Sequence, residues 1–319
     1  MRASAAQYPG LPAVKDAEVK MPNHSLARRA GLAAALVAAA GGACVAYGAL
    51  VELDWYRLRR EVVPMLAPGQ APYSLLHLSD LHLLASQERK QRFLAELAEL
   101  PIDLVVVTGD ILGEPDALEP ALAALRRFQP RLGGVVVLGS NDYYAPRYKN
   151  YLAYFLPNRK RRLPHGHNPW RELVAGLEGS GWLVLSNRRG RLGDIELAGM
   201  DDPHIDRDDP AVPVPANGQA AGLRIGVVHS PYRRSLDVFE RNGYPLVLTG
   251  HTHGGQVRLP GIGALVTNCD LPRDQVRGLS RWGRSWLHVS AGLGTSKYAP
   301  FRFACRPEAS LLLLVPAAT

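Results

Sequence analysis

From residue 73 onward the chain alternates short apolar runs with amphipathic stretches, a rhythm that predicts strands and helices in turn and therefore an α/β fold. Strands are expected at 73 to 79 (YSLLHLS), 103 to 109 (DLVVVTG), 134 to 139 (GVVVLG), 182 to 186 (WLVLS), 195 to 200 (IELAGM), 223 to 230 (LRIGVVHS) and 245 to 250 (PLVLTG). Shorter β runs follow at GQVRLP, WLHVSAG and SLLLLV. Between the strands, Ser86 is placed to cap a helix burying Phe93, Leu94 and Leu97, and EPALAALRRF repeats apolar residues at helical spacing. Asn168-Pro169 and Ser230-Pro231 each offer a capping residue followed by proline at the first helical position.

Before residue 73 the pattern is different. Residues 1 to 29 lack periodicity and suit a flexible N-terminal segment. Residues 30 to 51, AGLAAALVAAAGGACVAYGALV, hold no charge and are long enough to cross the ~30 Å apolar core of a bilayer as one helix. A cleaved signal peptide and a buried Ala-rich helix are the other readings of such a run; its continuation past any small-residue cleavage site favours an uncleaved, single-pass anchor. Residues 52 to 72 follow as a linker, and 73 to 319 as the α/β domain. Arg28 and Arg29 before the run face Arg57, Arg59 and Arg60 after it, so the positive-inside rule does not set its direction. A signal-anchor arrangement, with the domain outside the cytoplasm, is the expectation.

Composition changes this picture little. Three cysteines, Cys44, Cys269 and Cys305, are too few and too scattered for a disulfide framework or a thiolate zinc site. The formal charge of +8 is a modest excess concentrated in one segment, and no nucleic-acid-binding motif accompanies it, so no nucleic-acid partner is expected.

The chemistry gathers where the strands end. Asp80 and His82 follow the first, Asp110 the second, Ser140, Asn141 and Asp142 the third, His229 a later one, and His251 and His253 the next. Strand ends of α/β sheets are where such folds place ligands. Imidazoles and carboxylates without thiolates suit Mn, Fe or Zn. Six such ligands exceed one tetrahedral ion, whereas two ions ~3.5 to 4 Å apart, sharing a carboxylate, account for them and would hold a hydroxide for in-line attack on phosphorus.

Asp80-Leu81-His82, Gly109-Asp110, Gly139-Ser140-Asn141-Asp142, His229 and Gly250-His251-Thr252-His253, in this order, resemble the five-block signature of the calcineurin-like metallophosphoesterases. The resemblance implies a four-layer αββα sandwich with mixed sheets. It also implies a first metal held by Asp80, His82, Asp110 and His253, and a second held by Asp110, His229, His251 and a residue of the 139 to 142 loop, here Asn141. The apolar run, HTHGGQ and AGMDDPH are similar to the bacterial membrane-associated or exported members, some of which cleave the pyrophosphate of UDP-diacylglucosamine. Phosphodiester or pyrophosphate hydrolysis, including lipid-linked substrates, is therefore expected.

One block departs from the family. Gly-Asn-His is usual where this chain has Gly139-Ser140-Asn141, and in the gap-free alignment Ser140 takes the place of the metal-binding Asn and Asn141 that of the proton-donating His. Ser140, Asn141 and Asp142 are carried as catalytic candidates. An amide donates a hydrogen bond but transfers no proton, and loss of acid catalysis typically costs ~10² to 10⁴ in rate. That favours good leaving groups, as in phosphoanhydrides. The rival reading is a metal-binding scaffold with weak or no catalysis. The next segment interleaves aromatic and basic residues, and Tyr143, Tyr144, Arg147, Lys149, His165 and His167 are expected on a substrate-binding lid, with His165 or His167 able to replace the missing acid. Asp201 and Asp202 are candidates for orienting metal ligands.

Overall fold

The computed structural model describes residues 24–146, 166–214 and 222–317. Its first element is helix α1 (His24–Leu50). Strands β1 (Arg57–Leu66), β2 (Tyr73–Leu78), β3 (Leu104–Thr108), β4 (Gly133–Val137) and β5 (Leu183–Val184) follow, then β6 (Arg188–Leu192), β7 (Ile195–Met200), β8 (Arg224–Val228) and β9 (Leu246–Thr249). The remaining strands are β10 (Arg258–Leu259), β11 (Gly263–Ala264), β12 (Gly278–Trp282), β13 (Ser285–Val289) and β14 (Glu308–Pro316). Helices α2 (Glu88–Ala98), α3 (Leu118–Arg126), α4 (Ser140–Tyr143), α5 (Trp170–Glu178) and α6 (Arg233–Arg241) lie between them.

Two six-stranded mixed sheets form, in the orders β1-β14-β2-β3-β4-β5 and β12-β13-β9-β8-β7-β6, and β10 pairs with β11 as a separate hairpin. Period-two alternation builds the layers. Leu75, Val106 and Val135 face Leu197, Ile225 and Leu248 of the other sheet, while Leu76, Val105 and Val136 face Leu94, Leu125 and Leu173 of α2, α3 and α5. Beyond the second sheet, Val228 and Val247 pack on Leu236 and Phe239 of α6. The expected αββα sandwich is the observed one.

Several local expectations change. The segment read as a linker supplies β1, an edge strand paired in parallel with β14. The helix expected from Ser86 has Gln87 at its cap, and neither Asn168 nor Ser230 caps a helix: Pro169 and Tyr232 stand at those positions. Ser230 instead donates its hydroxyl to Asp202, 2.6 Å away. The apolar run is helical from His24, six residues before the expected start, so only residues 1 to 23 of the segment read as flexible lie outside the described residues. Residues 1–43 form one unit and 44–319 another. In the first, Leu32, Leu36 and Val37 are exposed, and α1 is long and apolar enough to cross a membrane.

Candidate metal centre

The loops that leave β2 and β3 are joined backbone to backbone, as are those that leave β8 and β9. Asp80 N–H donates to the Gly109 carbonyl (3.0 Å), His82 N–H to that of Asp110 (2.9 Å) and Gly250 N–H to that of His229 (2.8 Å). Two glycines are required by this crowding. A Cβ on Gly139 would lie 2.4 Å from Asp110 Oδ1, and one on Gly250 would lie 1.8 Å from Ser79 Oγ. The backbone is also driven into the left-handed region at Asp80 (φ 48°), His82 (37°), Asp110 (53°), His251 (67°) and His253 (50°). Such conformations cost of order 1–3 kcal/mol each and persist where the surroundings enforce them, which is characteristic of functional sites.

Two groups of side chains converge, Asp80 with His82 and His253, and Asp80 with Asp110 and His229, each with its ligand atoms within 4.8 Å of one another. Asp110 Oδ2 lies 3.4 Å from His82 Nε2 and 3.4 Å from His229 Nε2, and Asp80 Oδ1 lies 3.7 Å from His253 Nε2. The far nitrogens fix the tautomers. His229 Nδ1 donates to the Thr108 carbonyl at 2.6 Å and His253 Nδ1 to the Gly294 carbonyl at 3.0 Å. In the neutral ring of His253 the Nε2 lone pair therefore faces a carboxylate oxygen, acceptor against acceptor, whereas His229 Nε2 faces Asp110 and without a metal keeps a proton there. Asp80 Oδ1, His82 Nε2 and His229 Nε2 are buried with no hydrogen-bond partner among the described residues. A cation between them resolves this arrangement, with the second ring nitrogens anchored as in other histidine metal ligands.

The electrostatics agree. Burial pushes the His82 and His253 imidazoles down to about 4, which leaves them neutral and ready to ligate near neutral pH. Burial likewise holds His251 well below its ordinary value. At His229 burial also acts downward, but the Asp110 and Asp202 carboxylates outweigh it and hold the ring well above its usual range. Asp110, against its own burial, is held well below the carboxylate range chiefly by His229. The point where Asp110 meets the imidazole nitrogens thus calls for positive charge. Behind it, the wholly buried Arg302 donates to the carbonyls of Ala291, Gly292, Gly294 and Cys305 and fixes the loop carrying the Gly294 carbonyl.

The remaining expected residues divide. Ser140, Asn141 and His251 line a cavity of about 550 Å³ together with His82, Asp110 and His253. Asn141, not Ser140, stands at the shared carboxylate: its N–H donates to Asp110 Oδ1 (2.8 Å) and its side-chain amide to Oδ2 (2.6 Å). His251 reaches the edge of His229, ring centroids 5.2 Å apart, while its Nε2 lies 3.1 Å from both the carbonyl and the amide nitrogen of Asn268. Asp142 turns away from the cavity. Its carboxylate accepts the N–H groups of Ile111 (2.7 Å), Leu112 (3.1 Å) and Gly139 (2.9 Å), so it braces the loops and is removed from the catalytic set. Burial, then the charge of Asp110, raises it to about 7.

Tyr143, expected on the lid, is buried. Its hydroxyl donates to Asp201 (2.8 Å) and its ring lies under the Arg207 guanidinium, so Asp201 serves Tyr143 and Arg207 and not a metal ligand. Tyr144 pairs with His167, and both line a different cavity beside Trp170 and Arg207. Arg147, Lys149 and His165 lie outside the described residues. Among the cavity residues that the sequence motifs did not single out are His204 and Asn268. The His204 ring lies tilted against that of His251, centroids 4.2 Å apart, and its place in AGMDDPH, four residues after a strand, was the available signal.

Comparison with known proteins agrees with this centre. A family model described as calcineurin-like phosphoesterase matches residues 73–255. The chain is 26% identical over 282 residues to the uncharacterized metallophosphoesterase YkuE of Bacillus subtilis, covering 83% of this chain and 86% of that one. It is 26% identical to the phosphodiesterase YaeI of Escherichia coli, covering 91% of this chain and 100% of that one. A Danio rerio transmembrane protein with metallophosphoesterase domain is 27% identical, over 75% of this chain and 52% of its own length.

Proposed function

We propose, for a chain that belongs to the calcineurin-like phosphoesterase family and is a metal-dependent phosphoester hydrolase, that two divalent ions serve cleavage of phosphodiester or pyrophosphate bonds, with lipid-linked phosphoesters as the substrate class. The observation that carries the two-ion reading is Asp110 Oδ2, 3.4 Å from an imidazole nitrogen of each neighbouring histidine, one in each half of the centre. Asp80, His82, Asp110 and His253 would hold one ion. Asp110, His229, Asn141 and His251 would hold the other, His251 through a ring that Asn268 orients. When bound, such ions polarise phosphoryl oxygens and make a water nucleophilic near neutral pH.

The chain's own residues limit the leaving group. Asn141 donates N–H to oxygen but carries no transferable proton, which favours aryl and phosphoanhydride leaving groups that depart as stable anions. A lipid-linked substrate is supported by the apolar helix and by the apolar side of the cavity, where Val257, Leu265 and Phe301 stand opposite the polar residues. Purified protein supplied with Mn²⁺ should hydrolyse bis(p-nitrophenyl) phosphate and lose that activity to a chelator. Absence of metal-dependent turnover on this diester and on nucleotide-sugar pyrophosphates would establish the scaffold reading in its place. The helix is read as a single-pass anchor with the hydrolase outside the cytoplasm. A reporter fused after Thr319 should then be active only outside, and activity only in the cytoplasm reverses the orientation.

A further inference from the structure

Part of the apolar lining of the cavity adjoins a surface hairpin. Val257, Leu265 and Val266 line the cavity, and they flank the hairpin of β10 and β11. The turn of that hairpin presents Leu259, Pro260 and Ile262 to solvent, with Ile262 60% exposed. Contiguous apolar side chains at an exposed tip mark a contact surface. The base of the hairpin is tied to the segment 301–303, for Arg258 N–H donates to the Phe303 carbonyl (2.9 Å) and Phe303 N–H to that of Gln256 (3.1 Å). That segment in turn packs on the last residues of the apolar helix. Arg302 N–H donates to the Gly48 carbonyl (3.2 Å), Phe303 meets Tyr47 edge to face, and Gly48 lies so close to Phe301 that a Cβ there would come within 2.4 Å of the ring.

We propose that the β10–β11 hairpin is a membrane-contacting lip, its Leu259-Pro260-Gly261-Ile262 turn entering the bilayer at the end of the apolar helix, so that a lipid phosphoester reaches the metal centre sideways along the Val257–Phe301 wall. The proposal rests on the anchoring and hydrolase readings above. A lipid bilayer is the occupant for two reasons beyond the continuity with the helix. Five residues after the helix ends stands Trp55, half exposed, with the Arg306 guanidinium 3.9 Å over its ring. The exposed Arg60 follows on β1. Tryptophan and arginine together at the end of an apolar helix are the side chains that settle among headgroups, and the arginines suit anionic lipid.

The test uses the full chain in vesicles of phosphatidylcholine and phosphatidylglycerol. The added fluorescence of Ile262→Trp, relative to the unsubstituted chain, should be quenched by lipids brominated on their acyl chains and shielded from aqueous iodide. In parallel, Leu259→Asp with Ile262→Asp should lower turnover of a diacylglycerol p-nitrophenyl phosphodiester embedded in the vesicles by about 10-fold or more, since two apolar contacts with lipid are lost. The same variant should leave bis(p-nitrophenyl) phosphate hydrolysis unchanged, because neither residue lines the cavity. Iodide quenching without bromolipid quenching in a chain that floats with the vesicles overturns the lip while sparing the anchor. Shielding from both quenchers overturns it in favour of a protein contact, such as a second copy. A chain that does not float with the vesicles overturns anchor and lip together. A chain inactive on both diesters overturns the hydrolase reading, and the quenching still decides the lip.

Discussion

Asp110→Asn is expected to lower metal-dependent hydrolysis of bis(p-nitrophenyl) phosphate by about 10³-fold or more, the scale on which a charge central to the transition state is lost. The residue has no substitute. Its Oδ2 faces His82 Nε2 and His229 Nε2 at 3.4 Å each, and its Oδ1 holds the Asn141 backbone. An amide at this place keeps the shape and removes the negative charge that, in the metal-free chain, holds the His229 imidazole well above its usual range. The folded chain without metal should therefore lose some stability near neutral pH, where Asp110 and His229 are a charged pair, and still fold. Thermal unfolding of the chelated protein, bound metal and turnover are the three measurements. The combination expected is a modestly lowered Tm, reduced metal content and lost activity. Turnover within 10-fold of the parent would remove Asp110 from the centre of the mechanism, and a collapsed Tm would make it a folding residue instead.

That separation of stability from function mirrors what could be read in the chain before its structure. The central strands were legible because both of their faces are buried: LVVV of β3 and VVV of β4 are apolar throughout. The edge strands were not. RLRREVVPML of β1 buries only Val63 and Leu66, and RRGRL of β6 buries nothing, so neither carries a core pattern. What makes β1 a strand is its partner β14, some 250 residues away in the chain, and such pairing leaves no local signal.

The candidate metal ligands were legible for a related reason. They sit on the first residues past the strands, in motifs whose spacing follows the strand ends. Their partners were not, since Asn268 meets His251, and His204 meets both His251 and Tyr232, only through loop geometry. Asp142 and Tyr143 show the opposite failure. Their neighbours in the chain face the cavity, but the single turn of α4 carries these two to its inner face, where backbone amides and Asp201 satisfy them. A polar residue one position from a ligand is on a helix about 100° away from it, and adjacency in sequence then misleads.

The same turn decides which residue of the Gly-Ser-Asn-Asp corner serves the centre. Asn141→Ala should lower kcat/KM by about 10- to 100-fold on aryl diesters and on pyrophosphates alike, the usual range for a residue that supports a metal ligand. Both outcomes follow from one contact. Asn141 spans the two oxygens of Asp110, its N–H at 2.8 Å from Oδ1 and its amide at 2.6 Å from Oδ2. Alanine keeps the backbone bond and deletes the amide, so Asp110 stays placed while its inner oxygen loses a partner; Mn²⁺ affinity, measured by calorimetry, should weaken with turnover. Because the amide carries no transferable proton, the loss should be the same for good and poor leaving groups and should leave the shape of the pH profile unaltered, whereas loss of an acid would flatten one limb. Ser140→Ala is the comparator. Its side chain lines the cavity without standing at Asp110, and a change of no more than a few-fold is expected. If Ser140→Ala is the damaging substitution and Asn141→Ala the silent one, then Ser140 is the metal-side residue after all, and the contact between Asn141 and Asp110 has no part in the chemistry.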